Sequence, residues 1–240
     1  MNIIITGASK GIGLAIAHRL AMQTSTTHFI GLCSREESAI AGVASVLKKD
    51  FPQHQYFAQA CNVGNEGEVN AFVSEFESRC GAVDVLINNA GFGIFKPITS
   101  ILKSECDSML ATNLRGPFLF SRAVLPKMRE KKSGTILSIS SLAGKHGFSG
   151  GAAYCASKFA LRGMMQSLFL EVRSDNIRVV TINPGSVETG FYKSEKATSS
   201  TRSTNALHAD DVAACVELAL GLPINADITD LDVRPTNPKG

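Results

Sequence analysis

The sequence has no tryptophan and only three tyrosines, so a tyrosine in a motif has to be accounted for individually. Its wholly apolar runs are short pieces such as Ile3 to Ile5, far below the ~20 residues that cross a bilayer, which excludes a membrane span. Neither sign of charge dominates: 24 Lys+Arg against 21 Asp+Glu leave +3, too little and too scattered for a nucleic-acid footprint. No basic n-region or cleavage site precedes the apolar run that starts at Asn2, so no signal peptide is expected. Cys33, Cys61, Cys80, Cys106, Cys155 and Cys215 lack any C-x-x-C or Cys/His spacing. That excludes a disulfide framework and implies free, mostly buried thiols in a reducing cytoplasm. His18, His28, His54, His146 and His208 are equally dispersed, and no metal is expected.

What is present is an ordinary globular composition, 44% hydrophobic and 19% charged, with 21 unevenly placed glycines. The length suits one domain, residues 1–240, which needs no metal or disulfide to hold its core. Strand-like and helix-like segments alternate throughout. Strands are expected at Asn2–Thr6, His28–Cys33, Tyr56–Cys61, Val83–Ile87, Thr135–Ser140, Ile177–Ile182 and Ile228–Val233. Helices are expected at Gly11–Ala21, Glu36–Lys49, Glu66–Cys80, Ser104–Lys131 with a break near Gly116-Pro117, Ala153–Ser174 and Ala209–Leu220. Right-handed βαβ units of this kind build an α/β fold, a doubly wound, seven-stranded parallel sheet between two helical layers. Residues 186–207 have a Ser/Thr-rich centre without apolar period and read as a mobile lid over the site.

Between the first strand and first helix stands Thr6-Gly7-Ala8-Ser9-Lys10-Gly11-Ile12-Gly13. Glycine there lets the backbone turn tightly and approach a ligand, while the helix N-terminus offers unpaired N–H groups to a pyrophosphate. In dinucleotide folds the end of the second strand selects the cofactor: an acid holds a ribose 2′-OH, an Arg a 2′-phosphate. This strand ends in Cys33-Ser34-Arg35, and Ser34, Arg35 and Lys10 favour NADP(H). Glu36 and Glu37 argue the other way, towards NAD.

Tyr154-Cys155-Ala156-Ser157-Lys158 opens a helix, and the four-residue spacing puts the Tyr and Lys on one face. A phenol of ordinary pKa ~10 is about 0.1% ionised at pH 7, so a neighbouring ammonium that lowers it makes it an acid/base suited to neutral pH. Ser141 ends the strand before that helix, where ligands bind in such sheets.

TGASKGIG, Asn88-Asn89-Ala90-Gly91, Asn113 within T-N-L-R-G, I-S-S-L-A-G at Ile139 to Gly144, Y-C-A-S-K, and Asn183-Pro184-Gly185 occur in this order along the chain. On these motifs the chain resembles the short-chain dehydrogenase/reductase family, Rossmann-like in fold, over essentially its whole length. The resemblance implies a catalytic tetrad of Asn113, Ser141, Tyr154 and Lys158. Tyr154 would protonate the carbonyl oxygen, Ser141 polarise it, Lys158 lower the Tyr154 pKa and hold the nicotinamide ribose, and Asn113 position a water. It also implies that NADP(H) contacts Gly7, Ser9, Lys10, Gly11, Ile12 and Gly13, then Ser34, Arg35, Asn62 and Val63. Further contacts would come from Asn89, Ala90 and Gly91 beside the adenosine ribose and from Pro184, Gly185, Val187 and Thr189 at the carboxamide. Where the family usually has Asp for the adenine amine, this chain has Asn62, whose amide oxygen can still accept that bond.

The expected reaction is hydride transfer between NADP(H) and a carbonyl or secondary alcohol. The ending Leu231-Asp232-Val233-Arg234-Pro235-Thr236, with Y-C-x-S-K-F, is more similar to bacterial sepiapterin reductases than to oxoacyl reductases. Sepiapterin or a related diketone is therefore the expected substrate, with a 3-oxoacyl thioester as the alternative. Phe92 to Phe95, Leu142 to Phe148, Phe191 and Tyr192 should build its pocket, with His146 at the border. Two readings from other classes compete. Gly147-Phe148-Ser149-Gly150-Gly151 matches the G-x-S-x-G of a serine hydrolase, with Asp175 and His208 following in order, and a non-catalytic NADP-binding protein would keep the fold alone. The family's long paired helices imply a homodimer or homotetramer.

Overall fold

The computed structural model describes residues 1–189, 205–223 and 225–237. In chain order these form β1 (Asn2–Thr6), α1 (Gly11–Ala21), β2 (Phe29–Ser34), α2 (Glu37–Asp50), β3 (Gln55–Ala60), α3 (Glu66–Cys80) and β4 (Val85–Asn88). There follow α4 (Lys103–Leu110), a π-helical turn (Ala111–Arg115), α5 (Gly116–Lys131), β5 (Gly134–Ile139), a 3-10 turn (Leu142–Gly144) and α6 (Ala152–Val172). After a second 3-10 turn (Arg173–Asp175) come β6 (Ile177–Pro184), β7 (Val187–Glu188), β8 (Leu207–His208), α7 (Ala209–Gly221) and β9 (Asp230–Val233).

Seven strands form one sheet in the order β3-β2-β1-β4-β5-β6-β9, and every pairing is parallel. This is the expected doubly wound architecture. Alternation along the strands decides which layer each side chain enters. Ile3 and Ile5 of β1, Val85 and Ile87 of β4, and Val180 and Ile182 of β6 pack under α1, α2 and α7. Their neighbours Ile4, Leu86 and Val179 pack on the other face, under α3, α5 and α6. Strands apolar on both faces leave their carboxyl ends as the place where polar groups can gather. The winding reverses between β1 and β4, and there a crevice opens.

The boundaries move where side chains intervene. His28 stays outside β2, because its N–H donates to Nδ1 of His54 at 3.0 Å and the two rings stack at 5.0 Å. The expected break at Gly116-Pro117 lies one turn earlier, as the π turn. Pro117 has no N–H to give the Asn113 carbonyl, and the ladder slips so that Gly116 N–H reaches Ala111 O. The final strand starts at Asp230 instead of Ile228. A short parallel ladder pairs Val187 with Leu207 and Glu188 with His208. Most of the stretch expected to be a lid, residues 190–204 with Phe191 and Tyr192, lies outside the described residues.

Candidate active site

The glycine turn is built as its sequence requires. Gly7 and Gly11 have φ of +65° and +58°, left-handed values that glycine adopts without cost. A Cβ on Gly7 would lie 2.8 Å from Ala90 Cα, and one on Gly13 would lie 2.4 Å from Asn89 Nδ2. The turn is thus pressed against the end of β4. Thr6 Oγ1 accepts from the N–H groups of Asn89 and Ala90, both at 3.0 Å, and Asn89 Nδ2 donates to Thr6 O at 2.9 Å.

A cleft of about 350 Å³ runs along these carboxyl ends. Its walls include Gly7, Ser9, Lys10, Gly11, Ile12, Ser34, Arg35, Asn62, Val63, Asn89, Ala90, Gly91, Ser141, Tyr154, Lys158, Pro184, Gly185, Val187 and Thr189. Two expected members do not line it. Gly13 packs behind the turn against Asn89, and Asn113 is buried behind Gly91. Sequence reasoning missed Ala39, Cys61, Thr112, Ile139 and Ser140, which also line it. Cys61, Ile139 and Ser140 follow or end strands, and that position was the available signal.

At the β2 end Arg35 is exposed, and Ser34 Oγ donates to Glu36 O at 3.1 Å. Glu37 is turned away, its carboxylate accepting the Ala60 N–H. One of the two acids that argue for NAD is therefore occupied with β3. Asn62 Oδ1 accepts from Gly64 N–H at 3.1 Å, which leaves its second lone pair for a ligand.

At the other end Lys158 is 4% exposed, and its Nζ donates to Ile139 O at 3.0 Å. Burial pushes this ammonium down to about 8. Its Nζ lies 6.0 Å from the centroid of the Tyr154 ring, which Phe95 meets edge-on at 5.3 Å. Ser141 Oγ accepts from Ala143 N–H at 3.1 Å. Asn113 clamps the Phe92 peptide, accepting from its N–H at 3.0 Å and donating to its O at 2.9 Å. Its Nδ2 also donates to Ser157 Oγ at 3.0 Å, and Ser157 Oγ donates to Tyr154 O at 2.7 Å. The π turn is thereby tied to the helix that bears Tyr154 and Lys158. A Cβ on Gly91 would meet Asn113 Oδ1 at 3.2 Å and Lys158 Nζ at 3.5 Å, so Gly91 lies closely against both side chains.

The hydrolase constellation does not assemble. Ser149 is exposed before α6, whereas Asp175 follows α6 and pairs with Lys132 and Arg129. A helix of 21 residues separates them by roughly 30 Å at 1.5 Å per residue. His208 faces Glu188 instead, at 3.6 Å. Among the described residues no group of three His, Cys, Asp or Glu could hold a metal, and no helix is long and apolar enough to cross a membrane.

The chain is 31% identical over 232 residues to an uncharacterized oxidoreductase of Staphylococcus saprophyticus, covering 97% of this chain and 96% of the relative. It is 29% identical to an NADP-dependent 3-hydroxy acid dehydrogenase of Schizosaccharomyces pombe, covering 100% and 94%. An alcohol dehydrogenase from the archaeon Thermococcus sibiricus, solved with 5-hydroxy-NADP, superposes with a TM-score of 0.89 at 27% identity, covering 100% and 98%. The short chain dehydrogenase family model matches residues 1–200. With its parallel sheet, its glycine turn and this match over most of its length, the chain belongs to the short-chain dehydrogenase family.

Proposed function

We propose that the protein is an NADP-dependent oxidoreductase that interconverts a carbonyl and a secondary alcohol. The observation that carries this reading is the shared wall of Ser141, Tyr154 and Lys158, across the same cleft from a glycine turn that a Cβ would block. The residues fit a dinucleotide. Gly7, Ser9, Gly11 and Ile12 would hold the pyrophosphate, Arg35 and Lys10 a 2′-phosphate, and Pro184, Gly185, Val187 and Thr189 the carboxamide. The names of the fission yeast and archaeal proteins, both tied to NADP, support the same choice. When bound, the cofactor supplies a hydride to the carbonyl carbon.

The chain's own groups handle the proton. Tyr154 donates to the carbonyl oxygen, and Ser141 hydrogen-bonds that oxygen as charge develops. Lys158 is still charged at pH 7, because burial lowers it only to about 8, and its ammonium favours the phenolate left behind. Asn113 holds the Phe92 peptide that closes this end of the site.

An uncharged, flat or apolar carbonyl fits the surroundings best. Phe92, Ile94, Phe95, Ile101 and Met109 pack around Tyr154 and Cys155, and the cations lining the cleft among the described residues are Lys10, Arg35 and Lys158. Sepiapterin or a related diketone belongs to that class. Calorimetric titration with NADPH and NADH, followed by NADPH oxidation against sepiapterin, diketones, oxoacyl thioesters and 3-oxo acids, tests the reading. Turnover should be lost in Tyr154→Phe; a Tyr154→Phe protein with unchanged turnover refutes it. Phe118 on α5 and Phe159 and Leu170 on α6 are exposed, which supports self-association as a homodimer or homotetramer, checked by sedimentation equilibrium.

A further inference from the structure

A cluster of charged groups behind the Ser141 wall is not used by the chemistry above. Arg162 lies one turn beyond Lys158 on α6, with its side chain 20% exposed. Its Nη1 donates to Gly144 O at 3.1 Å, and its Nη2 reaches Asp230 Oδ2 of β9 at 2.7 Å. Asp230 also accepts from Asn183 Nδ2 and pairs with Lys145 Nζ at 3.0 Å. Lys145 bridges on to Asp232 at 2.5 Å, and Asp232 accepts from Asn183 Nδ2 at 3.1 Å.

Gly144 is held from two sides. A Cβ there would lie 2.9 Å from Lys158 O, so the 3-10 turn rests directly on the helix carrying Tyr154 and Lys158. Arg162 then ties the Gly144 carbonyl to that same helix. Within the turn, Gly144 N–H donates to Ser141 O at 2.9 Å and Ala143 N–H to Ser141 Oγ at 3.1 Å. Gly144 and Arg162 therefore link the turn that follows Ser141 to the helix that carries Tyr154. The second arm of Arg162 ties this pair, through Asp230 and Asn183, to the Pro184-Gly185 wall.

We propose that Arg162, braced by Asp230, is a positioning residue that fixes the distance between Ser141 and Tyr154. A guanidinium suits the task because it makes two directed bonds on different axes, which a lysine ammonium on a flexible stem does not. The inference rests on the oxidoreductase reading. Misplacing a catalytic group by about 1 Å costs up to ~100-fold in rate.

The test is a double-mutant cycle of Arg162→Met with Ser141→Ala, on a carbonyl that the wild-type enzyme reduces, alongside NADPH affinity by fluorescence titration. Arg162→Met should lower kcat about 10- to 100-fold and leave the NADPH dissociation constant within about twofold. In the Ser141→Ala background the same change should cost less than about twofold, because the group it positions is gone. Asp230→Asn should show the same pattern in weaker form, and it carries the cycle if Arg162→Met does not fold. Equal losses in both backgrounds, or a parallel loss of NADPH affinity, would overturn the proposal. Amide exchange over residues 141–146 provides a readout that needs no substrate: it should quicken in Arg162→Met while exchange in α6 is unchanged. Unaltered exchange refutes the positioning role, whereas absent turnover in the wild type refutes only the oxidoreductase reading.

Discussion

Replacing Lys158 by methionine should stabilise the cofactor-free protein at neutral pH while abolishing turnover. The ammonium is buried, and burial takes it from 10.5 to about 8. At about 1.4 kcal/mol per unit, the folded state carries a penalty of about 3 kcal/mol at pH 7, where the group is charged in both states. Between about 8 and 10.5 the folded chain has released a proton that the unfolded chain keeps, so stability rises with pH over that window. Methionine keeps most of the stem's packing and removes the charge, but it leaves Ile139 O without its 3.0 Å donor. That loss costs about 1–3 kcal/mol, so the net gain at pH 7 is about 1 kcal/mol, or roughly 2–4 °C in Tm. Melts of both proteins without NADPH, from pH 7 to 10.5, provide the assay, since taking their difference cancels the other titrations. The variant's advantage should vanish and then reverse as pH rises, a swing of about 3 kcal/mol. Parallel pH curves would show that Lys158 is not held at a cost.

Gly7→Ala should weaken NADPH binding by about 5- to 30-fold, since a side chain at φ +65° costs roughly 1–2 kcal/mol and meets the Ala90 backbone; unchanged affinity by titration would count against the turn as the phosphate site. Arg35→Asp should lower affinity for NADPH about 10- to 100-fold and affect NADH less, so a gain for NADPH in the same titration would sink the cofactor assignment. The His28 ring is pushed down to about 4 by burial, next to the N-terminal ammonium and His54. The unfolded chain therefore binds a proton first, and stability should fall as pH drops from about 6.5 to 4. His28→Gln should flatten that stretch of the acid-denaturation curve, and a curve of unchanged slope would refute the assignment.

Much of the fold was legible because the inner strands β1, β4, β5 and β6 alternate into two apolar layers while turns and helix starts carry glycine, as at Gly7 and Gly11. The cleft followed from the same logic, since chemistry-bearing residues stood at strand ends. What was not legible depended on contacts between distant segments. Gly116-Pro117 predicts a break at the start of α5, but a missing N–H acts on the carbonyl four residues earlier, and the distortion falls on Asn113. Gly13 looked like a phosphate contact because it belongs to the motif, yet its lack of a side chain serves the packing of α1 on Asn89. The diversion of Glu37 to the Ala60 N–H depends on β3, and the bracing of Gly144 by Arg162 and Asp230 joins residues far apart in sequence. No local pattern announces either.

The ladder of Val187 with Leu207 and Glu188 with His208 has a consequence for how this enzyme can diversify. It fastens both ends of the connecting chain beside the cleft, one next to Thr189 and the other leading directly into α7. With the ends pinned, the entropic cost of closing the connection grows only with the logarithm of its length, about 0.6 kcal/mol for each doubling. Insertions, deletions and wholesale exchange between those two clasps are therefore cheap for the seven-stranded sheet, whose described strands all lie outside them. The scaffold can keep its sheet and its cleft while that single stretch of chain is rewritten.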